Sequence, residues 1–163
     1  MMETFESEET RKEIRRMLRR WGNVRSFCIR KQKELREYMD LIESVSDVHA
    51  SALSGMPGSG QMSDKTARAA EKLMYLEEQY QNMIDALAKE IADELLYKEF
   101  MDSVLECVKD PARTVVEMKY KYCWSIEKIH HETHYSPASV KRLDMKALSL
   151  IAENIKISKV EPK

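Results

Sequence analysis

Residues 125–150 read SIEKIHHETHYSPASVKRLDMKALSL, and this stretch decides the fold. Ser125 stands just before the apolar residues Ile126 and Ile129. That is a capping position: a serine hydroxyl accepts a bond from a first-turn amide that has no partner inside the helix. Ser136-Pro137 repeats the start signal, since proline lacks the amide that the first helical position leaves unused and its φ is already helical. Val140, Leu143, Ala147, Leu148 and Ile151 then recur every three or four residues, the period of a helix with one buried face. Two helices joined by a tight turn make a helix-turn-helix. Its second helix exposes Ala138, Ser139, Lys141, Arg142 and Lys146 while Val140, Leu143 and Ala147 face inward. Small residues near the start let a helix sit deep in a major groove, and basic ones reach phosphates or guanine edges. Ser136, Ala138, Ser139, Lys141, Arg142 and Lys146 are therefore the candidate DNA-binding residues. The same pattern also fits an ordinary helix pair with a solvated polar face.

Upstream of this stretch the texture stays helical. Phe100 to Val108 reads as a short helix, and Asp110-Pro111 as a cap followed by a first-turn proline. Val115, Val116, Met118 and Tyr122 follow at helical spacing. Residues 98–152 are thus expected to form a compact all-α unit, with 153–163 a frayed, flexible tail.

The N-terminal part has a longer period. Ile14, Trp21, Cys28, Leu35 and Ile42 sit seven apart, and Met17, Val24, Tyr38 and Val45 fall three residues after four of them, with Lys31 alone interrupting the second row. Such heptads over Glu8–Val45 predict a long helix with a coiled-coil-like seam, bent at Gly22. Residues 51–62 hold three of the four glycines and read as a loop, after which Ser63 or Asp64 caps a second helix. Leu73, Leu76, Tyr80, Met83, Leu87, Ile91 and Leu95 form its expected apolar face. Residues 1–97 are read as a helical hairpin with its loop near 46–62, or half of a dimeric bundle, with Trp21, Leu35 and Ile42 on the seam of a homodimer.

Composition narrows the function classes. With four glycines and four prolines in 163 residues, turns are few and elements long, which excludes collagen-like and low-complexity chains and disfavours β-sandwiches. No apolar run approaches the ~18 residues of a membrane span, and the first residues are acidic where a signal peptide is basic. The expectation is a cytoplasmic protein with no membrane contact. Cys28, Cys107 and Cys123 show no C-x-x-C spacing and read as free buried thiols.

Charge is segregated. Residues 10–37 carry 11 bases and three acids, net +8, and residues 38–108 carry five bases and 14 acids, net −9. Within the first block Arg11-Lys12, Arg15-Arg16 and Arg19-Arg20 form a basic stripe. Pairing with Glu77, Glu78, Asp85, Glu90, Asp93 and Glu94 on the second helix is the expectation, with contact to a polyanion as the alternative.

Two tempting sites fail on chemistry. His130 and His134 lie four apart, but the zinc-protease pattern needs Glu directly after the first His, and His131 is there. Lys65-Thr66 follows glycines, but Asp64 precedes the lysine where a phosphate loop has Gly, and its charge repels phosphate. No catalytic residue, metal site or cofactor is expected, and the chain is read as a non-enzyme.

Residues 110–120, DPARTVVEMKY, resemble the L-P-x-R-x-R-x-V-L-x-L-R-Y helix in the fourth region of bacterial sigma factors. Residues 125–129, SIEKI, resemble that region's S-x-x-E-I helix, and 136–148 are similar to its recognition helix ending in K-A-L. The layout further resembles phage- and prophage-encoded regulators of Gram-positive bacteria of the ArpU type, in which a helical part with a Met-Pro-x-Gly loop and a following Ser-Asp precedes a sigma-like helix-turn-helix; residues 55–60 and Ser63-Asp64 fit that loop. The sequence departs from the sigma pattern at His130 for a small Ala, Thr133 for Leu and His134 for Gly or Asn. Pro137 and Ala138 replace long base-reading side chains, which argues against promoter recognition of the housekeeping type. The resemblance implies a sequence-specific, DNA-binding transcription regulator acting on double-stranded DNA, with RNA polymerase as a further partner. The alternative is a non-enzymatic helical adaptor that binds RNA polymerase or a phage assembly component without reading bases.

Overall fold

The computed structural model describes residues 2–54 and 64–160, with side chains placed for 8–51 and 64–156. The chain is all-α: α1 (Met2–Ser54), α2 (Asp64–Leu105), α3 (Ala112–Val116), a π turn (Glu117–Lys121), α4 (Ile126–Thr133) and α5 (Pro137–Val160). No strand occurs among the described residues. The glycine-rich loop and Ser63 lie outside the described residues.

Several elements outrun their sequence signals. The short helix expected over Phe100–Val108 is the end of α2, which runs on to Leu105 because Met101, Val104 and Leu105 keep its apolar face going. The fraying expected from Asn154 does not set in there, and residues 161–163 of that tail lie outside the described residues. Instead α5 continues to Val160, the Asn154 amide donates to the Val104 carbonyl at 3.1 Å, and Ile155 packs against the core. Asp110 does not cap α3. Its carboxylate accepts from the Thr114 hydroxyl at 2.7 Å, Pro111 takes the cap position, and no side chain bonds the first amides.

The chain packs as two units. One is Ser26–Asp93, a two-helix antiparallel seam in which Tyr38 meets Tyr80 with ring centroids 5.9 Å apart. Lys31, the interruption in the heptad row, is satisfied there by Glu90 at 3.1 Å and Glu34 at 3.7 Å. On α2 the inward row is Leu73, Glu77, Tyr80, Ile84, Leu87 and Ile91, whereas Leu76 and Met83 are exposed. Both rows have helical spacing, and only the partner helix distinguishes them. Leu35 and Ile42 are half-buried in this seam inside one chain.

The other unit joins the residues up to Arg25 with those from Glu94 onward, so the division falls elsewhere than at 97/98. Its core gathers Ile14, Leu18 and Trp21 of α1, Met101, Val104 and Leu105 of α2, Val116 of α3, Tyr120, and Ala147, Leu148 and Ile151 of α5. Trp21 donates its indole N–H to Asp102 at 2.9 Å and is buried in this core. Gly22 is a point of close contact. A Cβ there would lie 1.8 Å from the Tyr120 carbonyl oxygen, so α1 approaches the π turn backbone to backbone, which only glycine permits.

Candidate nucleic-acid interface

The helix-turn-helix is assembled by local hydrogen bonds around a small apolar centre. Val115, Ile129 and Val140 are buried together, with Met118, Trp124, Ile126 and Leu143 packed against them. Ser125 caps α4, its hydroxyl accepting from the Lys128 amide at 3.2 Å. Ser136 caps α5, accepting from the Ser139 amide at 3.2 Å and donating to the Ser139 hydroxyl at 2.9 Å. Pro137 is the first residue of α5, in the register that the sequence implies.

The three departures in the turn have physical roles. His134 ends α4 with φ 61°, the left-handed backbone of a C-cap, and its amide bonds to the His130 carbonyl. Thr133 donates to the Ile129 carbonyl at 2.6 Å and accepts from the Tyr135 amide at 3.3 Å. The His130 ring nitrogen Nδ1 lies 2.5 Å from the Tyr135 carbonyl oxygen. Among the described residues no three His, Cys, Asp or Glu side chains gather as a metal site.

Asp144 fixes how α5 is presented. It is the one buried charged residue among those described, 3% exposed, and accepts from Lys119 Nζ at 2.6 Å and the Tyr120 hydroxyl at 3.0 Å. Burial, and then the neighbouring Asp144 charge and hydrogen bond, push the Tyr120 phenol far above its usual range. A buried carboxylate with both partners in place is orientation-specific, because turning the helix would strand the charge.

The six candidate residues do not all present themselves alike. Ala138, Arg142 and Lys146 recur every four residues and are exposed, so they share one outward face of α5. Lys141 is exposed but lies nearer the edge that carries Met145. The hydroxyls of Ser136 and Ser139 are engaged with each other in the cap, so these two serve the helix start. Sequence reasoning missed Lys119, whose heptad-free surroundings gave no signal, and the Trp124–Lys128 pair, in which the ammonium sits 4.4 Å from the ring centroid.

The basic stripe divides. Arg20 pairs with Glu94 at 2.6 Å and lies over the Tyr97 ring, which is the pairing expected with α2. Arg16 instead bonds Glu13 on its own helix at 2.9 Å. Arg15 turns to α5, with its guanidinium 3.6 Å from the Met145 sulfur. Of the thiols, Cys28 is buried, Cys107 half-buried and Cys123 exposed on a left-handed backbone of φ 56°, so the expectation of three buried thiols fails at Cys123. No described helix is long and apolar enough to cross a membrane. Comparison of the chain with protein-family models, with curated proteins and with solved structures finds no match.

Proposed function

We propose that the protein is a sequence-specific DNA-binding transcription regulator of phage or prophage type, and that α5 reads the major groove. The observation that supports this most is the recognition-helix arrangement: a capped α5 whose outward face carries Ala138, Arg142 and Lys146, held at one rotation by Asp144. A small residue toward the groove and basic residues beyond it suit close approach with phosphate or guanine contact. The test is selection of bound duplexes from a random-sequence pool, followed by titration of Lys141→Ala/Arg142→Ala. Enrichment of one sequence, with weaker binding and a smaller salt dependence in the variant, is the expected result. Capture of RNA polymerase without any duplex preference would favour the adaptor reading instead.

A further inference from the structure

We infer that α1 extends the DNA contact: Arg11, Arg15 and Arg19 bind backbone phosphates beside the groove that α5 enters. This rests on the DNA-binding reading of α5. The residues are four apart, and Gly22 follows three residues after Arg19, so all lie on one side of α1. Gly22 is the point where α1 touches the π turn at the Tyr120 carbonyl, which turns this side of the helix toward the π turn and α5. Arg15 marks the same direction, with Nη2 3.6 Å from the sulfur of Met145, the residue immediately before Lys146 and three after Arg142.

The chemistry of this edge favours an anion. Arg15 also bonds the Tyr120 side chain, and neither that neutral phenol nor the Met145 thioether carries a charge to balance a guanidinium. Arg11, Arg15 and Arg19 form no ion pair among the described residues, whereas Arg16 and Arg20 each have a carboxylate. The carboxylate that α5 points inward here, Asp144, is already taken by Lys119 and Tyr120. Glu117, on the π turn, is taken by Arg113 at 3.3 Å. The edge therefore sets three arginines without a carboxylate beside exposed Lys141 and next to the face that carries Arg142, and the planar, always-charged guanidinium forks match phosphate oxygens. An acidic protein surface would use the same charges. Duplex DNA is favoured because the arginines adjoin the exposed basic face of α5.

The experiment measures binding of the full chain to a random-sequence DNA duplex over a salt series. Removing one phosphate-binding charge lowers the slope of log affinity against log salt by about 0.9. Arg11→Gln/Arg15→Gln/Arg19→Gln should therefore lower it by about 2.7, and Arg11→Lys/Arg15→Lys/Arg19→Lys should restore it. Far-UV circular dichroism confirms that both variants fold. A wild-type slope in the glutamine variant, with Lys141→Ala/Arg142→Ala still lowering it, would overturn the α1 contact and leave the α5 reading intact. The reverse pattern would overturn the α5 reading and with it the placement of the α1 contact beside that groove. Absence of duplex binding by the unaltered chain would overturn both.

Discussion

The two packed units hold themselves together by different means. In Ser26–Asp93, only Cys28 and Leu87 are fully buried among the described residues, and Leu35, Tyr38, Ile84 and Ile91 are half-covered. A pair of helices has one seam, so each side chain on it is covered from one direction only. In the other unit Leu18, Met101, Leu105, Leu148 and Ile151 are closed off completely, because pieces of α1, α2 and α5 surround them, and Ile129 is closed off among Val115 of α3, Val140 of α5 and their neighbours. The heptad pattern runs through both units, with Lys31 the one interruption of its second row. Burial is thus decided by how many elements converge, and the cost of a substitution should follow the unit in which it falls.

The sharpest way to break that contrast is Gly22→Ala. On an open helix this change gains about 1 kcal/mol. Here the new Cβ meets a backbone oxygen at 1.8 Å, so α1 must leave the π turn, and we expect a loss of more than about 3 kcal/mol, with overpacking as its cause. Urea unfolding reads the sign directly, and a stabilised variant would show that the close approach does not form. Next in size, Leu148→Ala should cost about 3 kcal/mol, whereas Ile84→Ala should cost about 1 kcal/mol because a half-exposed site loses less transfer energy and leaves no closed cavity. Equal losses in the two would remove the distinction between seam and core.

The alkaline limb of stability probes the buried network. The folded state holds the Tyr120 proton more tightly than the unfolded chain does. Its contribution is complete below the unfolded phenol pKa of about 10 and is withdrawn as pH rises above it, at up to about 1.4 kcal/mol per pH unit. Burial also raises Tyr97, so Tyr120→Phe should flatten most of the slope rather than all of it. An unaltered slope in Tyr120→Phe would place the titration elsewhere. The smallest effect is that of Ser136→Ala, about 1 kcal/mol for a missing cap. Its melting temperature should fall slightly and its duplex affinity by more than stability explains, since the frayed end is the one facing the groove. Wild-type values in both would displace the start of α5.

Much of the helix-turn-helix is legible in the sequence. Ser125 and Ser136 announce their helices because capping is a local event, settled by a hydroxyl and an amide three residues on. The left-handed His134 is likewise readable from its place in the turn. The failures share a different cause. The row Leu73, Leu76, Tyr80, Met83 and the row Leu73, Glu77, Tyr80, Ile84 are both periodic, and an exposed leucine looks like a buried one until a partner helix takes a side. Asp110 has the residue type of a cap, but its carboxylate finds the Thr114 hydroxyl instead.

Sequence alone determined what depends on neighbours along the chain: the all-α class, the long helices, the two serine caps and the segregation of charge. Only the tertiary structure decided which residues meet across it. It turned Gly22 from a weak point of a helix into the site of a backbone contact, and it gave Asp144 the partners Lys119 and Tyr120. It also divided one basic stripe, leaving Arg20 to Glu94 and Arg15 to the edge of α5. Period and propensity act within a few residues of a position, whereas close approach and charge pairing depend on elements about 25 to 130 positions away, whose arrangement is set by the packing of the whole core.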